Sequence, residues 1–424
     1  MIMHMSINNR RTNIKKLNFN LPKFRSKMSK KYLIGSTATR VRKFNPEKLF
    51  IVILHLVTGK NNEGYLHALS SVWQYFKELK AMPAKSSLAK ARGRVNWTFF
   101  RDIFFRSVED MDSQRQTWRG LHVYAIDGDQ FELPRSKDFI DSGYDGHPTP
   151  EKTKTYLPRM YVVTCCDVLS GSIKDFSFSN KNEEVDLAVF MAEFIDKSSL
   201  TLYDRLFMGR RLIEAHQKSG SYFLARVRSG NHFSEVMRLY NTNATVGKFE
   251  HNGATVLVIK VFHPKTKEIA VYCTNLPRDK FKNKEVADLY ALRWEVETAN
   301  RTFTETLKAE QWHSNSENGV LQEIYTLLWF INQVRLQMAD KKNMAVTLGR
   351  LFHYTKANFK LISDTIIRGF DDLINNRRRR LLSRIIILME KSKEVRRRRS
   401  RSYPRQTRHA RQLYKSASLV PREA

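Results

Sequence analysis

The sequence is poor in cysteine and has no long apolar run. Its three cysteines, Cys165, Cys166 and Cys273, include an adjacent pair and an odd one, so they cannot form a disulfide framework, and we expect them to be reduced and buried in strands. The twelve histidines provide no second pair at zinc-ligand spacing, which leaves oxygen ligands for any metal. Residues 49–54 form an apolar stretch far shorter than the roughly 20 residues of a membrane span. Because the N-terminus also lacks a secretory signal pattern, we expect a cytoplasmic protein without a membrane segment.

Acidic residues are scarce relative to basic ones. The chain has 74 Lys and Arg against 42 Asp and Glu, a net charge of +32, and a pI of about 10.1. The bases concentrate in residues 10–43, 377–380 and 396–411, with Phe24 and Tyr403 among the interleaved aromatic residues. This distribution is typical of nucleic-acid-binding proteins but does not separate DNA from RNA. A solvated basic tail is the alternative for any single run.

Hydrophobic periodicity indicates a helical region before a mixed α/β region. Apolar residues recur at three- and four-residue steps through residues 46–110, which predicts a small helical domain. Within it, residues 87–94 and 97–108 have the spacing of a helix-turn-helix, and ordinary helix packing explains that spacing equally well.

The middle of the chain changes to strands. Residues 121–227 predict the order β-β-β-α-β-α-β, which is that of a ribonuclease-H-like fold with helices on both faces of a mixed sheet. Residues 229–278 predict further strands, interpreted as a β-rich insertion into that core. Residues 283–310 predict one long helix.

Three acidic residues stand out by position. Asp127 and Asp204 follow predicted strands, at the edge where open α/β sheets carry their functional crevice, although either one alone could be a turn former or a helix cap. On the long predicted helix, Glu297 falls beside the apolar stripe, among basic residues. Glu295 points roughly 160° away from Glu297, which predicts a solvent-facing side chain. The alternative for Glu297 is an exposed ion pair with Arg293.

Several segments resemble DDE transposases of the insertion-sequence-4 family. Residues 290–297, Tyr-Ala-Leu-Arg-Trp-Glu-Val-Glu, resemble its Tyr-x2-Arg-x3-Glu signature. Residues 124–128 and 203–207 resemble its first- and second-aspartate motifs, and residues 401–405 resemble its basic C-terminal motif. Thr304 stands where the signature has Lys, with Lys308 one turn later, and Leu206 replaces a usual Gly.

This resemblance implies metal-dependent chemistry on DNA. It implies that Asp127, Asp204 and Glu297 are the catalytic residues and hold two Mg²⁺ ions, for which Mn²⁺ can substitute. It also implies a set of DNA-binding residues: Tyr290, Arg293, Arg301, Lys308, Trp294 and Arg405. Of these, Tyr290, Arg293 and Lys308 would contact a terminal phosphate.

The resemblance also implies a biological role. We expect a cut-and-paste transposase that cleaves element ends and joins them to target DNA, working as a homodimer in a synaptic complex on terminal inverted repeats, in the cytoplasm at the nucleoid. The alternatives are an inactive, transposase-derived DNA-binding protein and an RNA-binding protein.

The predicted regions are a basic N-terminal segment (1–45), a helical DNA-end-binding domain (46–118), a ribonuclease-H-like catalytic domain (119–228 and 279–375), a β insertion (229–278) and a basic C-terminal tail (376–424).

Overall fold

The computed structural model describes most of the chain between residues 44 and 338. The described residues are 32–34, 44–58, 64–73, 81–112, 116–144, 158–230, 233–263, 268–301, 310–338, 353–356 and 394–397. Thr304, Lys308, Arg405 and the side chain of Arg301 lie outside this description, as do most of the two basic terminal segments. Within these ranges, no helix combines the length and the apolar character that a bilayer crossing requires.

Helices occupy both ends of the described region and alternate with strands in its middle. In chain order they are α1 (Pro46–Thr58), α2 (Tyr65–Val72), α3 (Lys85–Arg94), α4 (Thr98–Asp112), α5 (Lys137–Asp141), α6 (Glu184–Glu193), α7 (Arg210–Ser219), α8 (Ser234–Asn241), α9 (Val286–Ala291), α10 (Trp294–Arg301) and α11 (Glu317–Met338). The four helices described before β1 agree with the helical periodicity of residues 46–110.

Eight strands form one mixed sheet. They are β1 (His122–Glu132), β2 (Arg159–Asp167), β3 (Ile173–Ser179), β4 (Ser199–Tyr203), β5 (Tyr222–Val227), β6 (Val246–His251), β7 (Ala254–His263) and β8 (Glu268–Thr274). Their order across the sheet is β3-β2-β1-β4-β5-β8-β7-β6. The pairs β1–β4 and β4–β5 are parallel and the others are antiparallel. A separate two-stranded sheet pairs β9 (His353–Lys356) with β10 (Glu394–Arg397).

The central strands are apolar on both faces because helices cover both. On one face, residues such as Tyr124 and Ile126 of β1 pack against α6, α7 and α8. On the other face, Val123 and Ala125 pack against α9 and α10. The predicted mixed α/β sheet with helices on both faces is therefore confirmed, and the strand order predicted for residues 121–227 is observed with one added short helix, α5.

The helical region shares its core with the sheet. Phe50 of α1 lies against Phe100 of α4 and against Trp329 of α11, with ring centroids 5.9 and 5.1 Å away. The same cluster of buried side chains includes Phe131 of β1 and Phe176 of β3. The predicted helical domain is thus packed into the body that carries the sheet, and its role in binding DNA ends stays a prediction.

Residues 229–278 differ from the prediction in two ways. They contain a helix, α8, besides strands, and β6 was not predicted either. Their strands also extend the central sheet, because β8 pairs directly with β5. The separation between core and insertion was inferred from chain position, which does not reveal pairing between distant strands.

The predicted long helix is broken. α9 ends at Ala291 and α10 begins at Trp294, and between them the amides of Leu292 and Arg293 bond to carbonyls three residues earlier, those of Leu289 and Tyr290. Such bonds wind the chain more tightly than an α-helix. The tight turn lies where the Arg293 side chain enters the interior, and periodicity alone gave no sign of it.

Candidate active site

The two aspartates lie side by side where β1 and β4 part. The parallel pairing of these strands runs up to Ile126 opposite Tyr203, so Asp127 and Asp204 take the next positions on neighbouring strands. β4 ends there, whereas β1 continues to Glu132 in its pairing with β2. Asp127 was expected at the end of a strand and instead lies within one, because antiparallel pairing with β2 prolongs β1.

The segment after the sheet is anchored by apolar side chains. Leu289 of α9 and Val296 of α10 are buried against the sheet, in the same cluster as Ala125 of β1. This packing holds Tyr290 above the second aspartate, and its hydroxyl donates to Asp204 Oδ1 at 3.3 Å.

Arg293 joins the first aspartate to the glutamate. Its Nη1 donates to Asp127 Oδ2 at 3.4 Å, and its Nη2 donates to Glu297 Oε1 at 2.5 Å. The Arg293 side chain is 5% exposed, against 20% for Asp127 and 30% for Glu297. The alternative for Glu297 was an exposed ion pair with Arg293, but a nearly buried guanidinium bridging two carboxylates is a different arrangement. Arg293 thus links two of the predicted catalytic residues, and Tyr290, three residues earlier in the chain, contacts the third, Asp204.

Glu295 is buried, which corrects the prediction that it faces solvent. Only 7% of the surface of Glu295 is exposed. Even in a regular helix, Glu295 lies about 40° from Ala299, beside the apolar stripe that also contains Leu292. The prediction measured its direction from Glu297, when the apolar stripe decides which side faces the core.

The environment of Asp127 disfavours its charged form. Burial raises the pKa of Asp127 to about 7, the nearby Arg293 opposes this shift, and the carboxylates of Glu297 and Asp204 add to it. Arg293 does not fully offset burial and the repulsion that Asp127 receives from Glu297 and Asp204. The site therefore favours either a proton on Asp127 or added positive charge.

Arg293 and Tyr290 stay in their ordinary protonation states. Burial lowers the pKa of Arg293, but Tyr290 and the surrounding carboxylates outweigh it and raise that pKa overall. Burial raises the pKa of the Tyr290 hydroxyl above its usual value. At neutral pH the guanidinium is a cation and the phenol is a hydrogen-bond donor, which suits both to contacts with phosphate oxygens.

The donor set fits a hard divalent ion. Asp127, Asp204 and Glu297 offer only carboxylate oxygens, which Mg²⁺ prefers over sulfur or imidazole. Nevertheless, no three His, Cys, Asp or Glu side chains in the described part of the chain are grouped closely enough to hold a metal ion together. The three carboxylates therefore have the chemistry that a divalent ion requires. The Arg293 guanidinium bonds to two of them, Asp127 and Glu297, and occupies the space between those two.

The remaining predicted DNA contacts are only partly described. Trp294 begins α10 beside the site, and its residue is 43% exposed. Leu206, in the turn after Asp204, is 49% exposed. Arg301, Lys308 and Arg405 stay predictions, because their side chains lie outside the described residues.

Arg226 is a neighbour of the site that the sequence analysis missed. β4 and β5 pair in parallel up to Tyr203 opposite Ala225, so Arg226 takes the position next to Asp204. Its charge lowers the pKa of Tyr290, although burial is the dominant influence on that residue and raises the pKa. A basic residue near the end of the predicted strand was the available signal, but using it required the register between β4 and β5.

A second missed feature lies beneath Asp204. The Tyr203 hydroxyl hydrogen-bonds His216 Nε2 at 2.9 Å, and His216 Nδ1 bonds Ser221 Oγ at 2.6 Å. Tyr203 and His216 are fully buried, and burial lowers the pKa of His216 to about 3, so the imidazole is neutral. This network fixes the end of β4, from which Asp204 extends.

Comparison with known proteins gives the family. The chain is 24% identical over 284 residues to the transposase InsG for insertion sequence element IS4 of Escherichia coli (strain K12), covering 60% of this chain and 61% of that protein. It is 29% identical over 191 residues to the putative transposase InsZ of the same strain, covering 43% of this chain and 64% of that protein. A cryo-EM structure of the piggyBac transposase synaptic complex with hairpin DNA aligns with a TM-score of 0.42 and 13% identity, over 97% of this chain and 81% of that one. Residues 118–333, just over half of the chain, match the family described as the transposase DDE domain, to which this chain therefore belongs.

Proposed function

We propose that this chain is an active DNA transposase of the insertion-sequence-4 type that cleaves the ends of a mobile element and joins them to target DNA. The observation that carries the proposal is the convergence of Asp127, Asp204 and Glu297 on the Arg293 and Tyr290 side chains, within a domain of the transposase DDE family. The net charge of +32 supports DNA as the partner.

The three carboxylates would hold two Mg²⁺ ions, with Mn²⁺ as a substitute. When bound, these ions stabilise the attacking and leaving oxygens of a phosphodiester. The charges of Asp204 and Glu297 both act on Asp127, so Asp127 would hold metal together with either of them. Tyr290 orients the Asp204 carboxylate through its hydroxyl.

Basic and aromatic side chains around the acids would position the DNA. Arg293 offers a planar fork that matches a terminal phosphate in a bidentate contact. Arg226, beside Asp204, would contact the neighbouring backbone phosphate. Trp294 presents an exposed aromatic surface to the bases. Arg301, Lys308 and Arg405 complete the proposed DNA-binding set.

The remaining parts of the proposal concern partners and location. Terminal inverted repeats and target DNA are the proposed duplex partners, and a homodimer in a synaptic complex is the proposed assembly, acting in the cytoplasm at the nucleoid. The chain aligns with 61% of the length of the InsG transposase, so that protein's whole activity is carried over only as part of this proposal.

Cleavage of the element's own flanking DNA tests the function. We expect purified protein with Mg²⁺ to cut at paired inverted ends. Asp127→Ala, Asp204→Ala and Glu297→Gln should each abolish cutting while binding DNA nearly as well as the wild type, because they remove carboxylates and not phosphate contacts.

Glu295→Gln is the matched control, since it makes the same chemical change two residues away on the same helix. It should keep cleavage, with circular dichroism checking that the variant folds. Loss of cleavage in this variant together with retention in Glu297→Gln would contradict the assignment of Glu297. Tight binding by the wild type without any cleavage would instead favour the inactive DNA-binding descendant.

A further inference from the structure

We propose that the Arg293 guanidinium and the divalent ions compete for the same carboxylates, so that the site takes up metal fully only after a DNA phosphate has drawn Arg293 away. This inference rests on the proposed function, and it adds an order of events: DNA end first, metal second. Arg293 would then act as a positioning residue that links DNA engagement to metal loading.

The first support is where the guanidinium lies. It contacts Asp127 Oδ2 at 3.4 Å and Glu297 Oε1 at 2.5 Å, using one terminal nitrogen for each acid. A metal ion shared by these two carboxylates would need the region between them. Two cations held there would repel strongly, because the side chain of Arg293 is only 5% exposed and little water screens the charge.

The second support is that Arg293 is incompletely hydrogen-bonded. Its Nε is buried and has no hydrogen-bond partner in the described structure. A buried donor without a partner costs about 1–3 kcal/mol. Without DNA, Arg293 therefore makes fewer hydrogen bonds than its guanidinium could. A phosphate can accept two parallel hydrogen bonds from one guanidinium.

The third support is the local backbone and its exposure. Arg293 lies in the tight turn between α9 and α10, where the regular helix is interrupted. The side chains of Asp127 and Glu297 are 20% and 30% exposed, so the acid side of the site opens to solvent. A phosphate arriving from that side meets the guanidinium next to the carboxylates.

The alternative is that Arg293 is only a structural ion pair that stays in place when metal binds. In that case removing its charge would destabilise the fold and leave the affinity for metal unchanged or weaker. Metal affinity measured without DNA therefore separates the two interpretations.

The test measures Mn²⁺ binding to metal-free protein by electron paramagnetic resonance of the free ion. We expect Arg293→Gln to bind Mn²⁺ about tenfold or more tightly than the wild type, because a competing positive charge is removed. Adding Asp127→Asn to that variant should abolish the gain, which locates the ion at this site. Equal or weaker Mn²⁺ binding by folded Arg293→Gln would overturn the proposal.

Two further variants keep the test decisive. Arg119→Gln removes a more exposed arginine, paired with Glu285 away from the site, and should leave Mn²⁺ affinity unchanged. If Arg293→Gln fails to fold, Arg293→Lys takes its place, because a compact ammonium reaches only one of the two acids at a time. It should raise the affinity by a smaller factor, and no rise would overturn the proposal.

The second arm adds blunt duplex DNA with or without a 5′-phosphate. The phosphorylated duplex should raise Mn²⁺ affinity in the wild type by a factor similar to that of the substitution, and should add little in Arg293→Gln. An equal rise in both proteins would refute the coupling through Arg293. Since this assay does not require cleavage, failure of the competition is distinguishable from failure of the transposase activity.

Discussion

The buried ion pair between Arg92 of α3 and Glu323 of α11 should hold the helical region on the body of the protein. The nitrogen–oxygen distance is 2.7 Å, and the two side chains are 4% and 1% exposed. Arg92 also donates to Gln322, to the hydroxyl of Tyr65 and to the carbonyl of Gly319. Despite burial, Arg92 and a neighbouring histidine lower the pKa of Glu323, so the pair is ionic at neutral pH.

The magnitude follows from the burial. Removing one partner leaves the other charge in the interior without compensation, which costs about 3–5 kcal/mol. Arg92→Met and Glu323→Leu should each lower the free energy of unfolding by this amount. The double variant should lose less than the sum of the two by about 2 kcal/mol or more, because neither charge is then left alone.

The assay is urea denaturation followed by both far-ultraviolet circular dichroism and tryptophan fluorescence. Lys218→Gln is the control, since its pair with Glu193 is largely exposed at 65% and 30% and should contribute less than about 1 kcal/mol. Additive losses in the double variant would refute the argument for coupling. A separate unfolding transition of the helical region at lower urea concentration would refute the shared core.

Four further predictions concern the site and its surroundings. Because burial raises the pKa of Asp127 from 3.8 to about 7, the folded state binds the Asp127 proton more tightly than the unfolded state does. The free energy of unfolding of the metal-free protein should therefore fall by up to about 4 kcal/mol between pH 4 and 7 in thermal melts. The same profile should be flatter in Asp127→Asn. For the same reason, Mn²⁺ affinity should rise towards pH 7 and level off above it, and a flat profile would contradict this. Trp294→Ala should weaken DNA binding by about 1–3 kcal/mol in fluorescence anisotropy while changing the melting temperature little, since Trp294 is partly exposed. Tyr203→Phe should cost about 1–3 kcal/mol in urea denaturation by leaving the buried His216 without its hydroxyl partner, and an unchanged midpoint would show that the network does not matter.

Local patterns were enough to predict the elements of the core. The sequence predicts a strand over residues 199–203, which are the bounds of β4, and the order of strands through residue 227 follows from alternation and helical periodicity. Helical periodicity predicts one apolar stripe of Leu289, Leu292, Val296, Ala299, Phe303 and Leu307. The first four are buried as expected, and the last two lie outside the described residues. These features depend on neighbouring residues, which a single sequence displays.

Features that depend on distant contacts were missed. Strand β1 is longer than predicted because β2 pairs along its whole second half, and β8 joins the sheet through β5. The inward position of Arg293 depends in part on Asp127, which lies 166 residues away in the chain. Glu295 was assigned to the wrong side because its direction was compared with that of Glu297 instead of the apolar stripe.

The shared core of the helices and the sheet limits how the helical region, for which the sequence predicts a role in binding DNA ends, can change its preference. Phe50 and Phe100 lie at one end of this core, and Trp329, from a helix more than 200 residues later, lies among them. A helical region exchanged with that of a relative would bring side chains shaped for a different partner helix. New specificity would then have to arise by substitutions on the exposed surface of these helices, and the region could not be inherited as a portable unit.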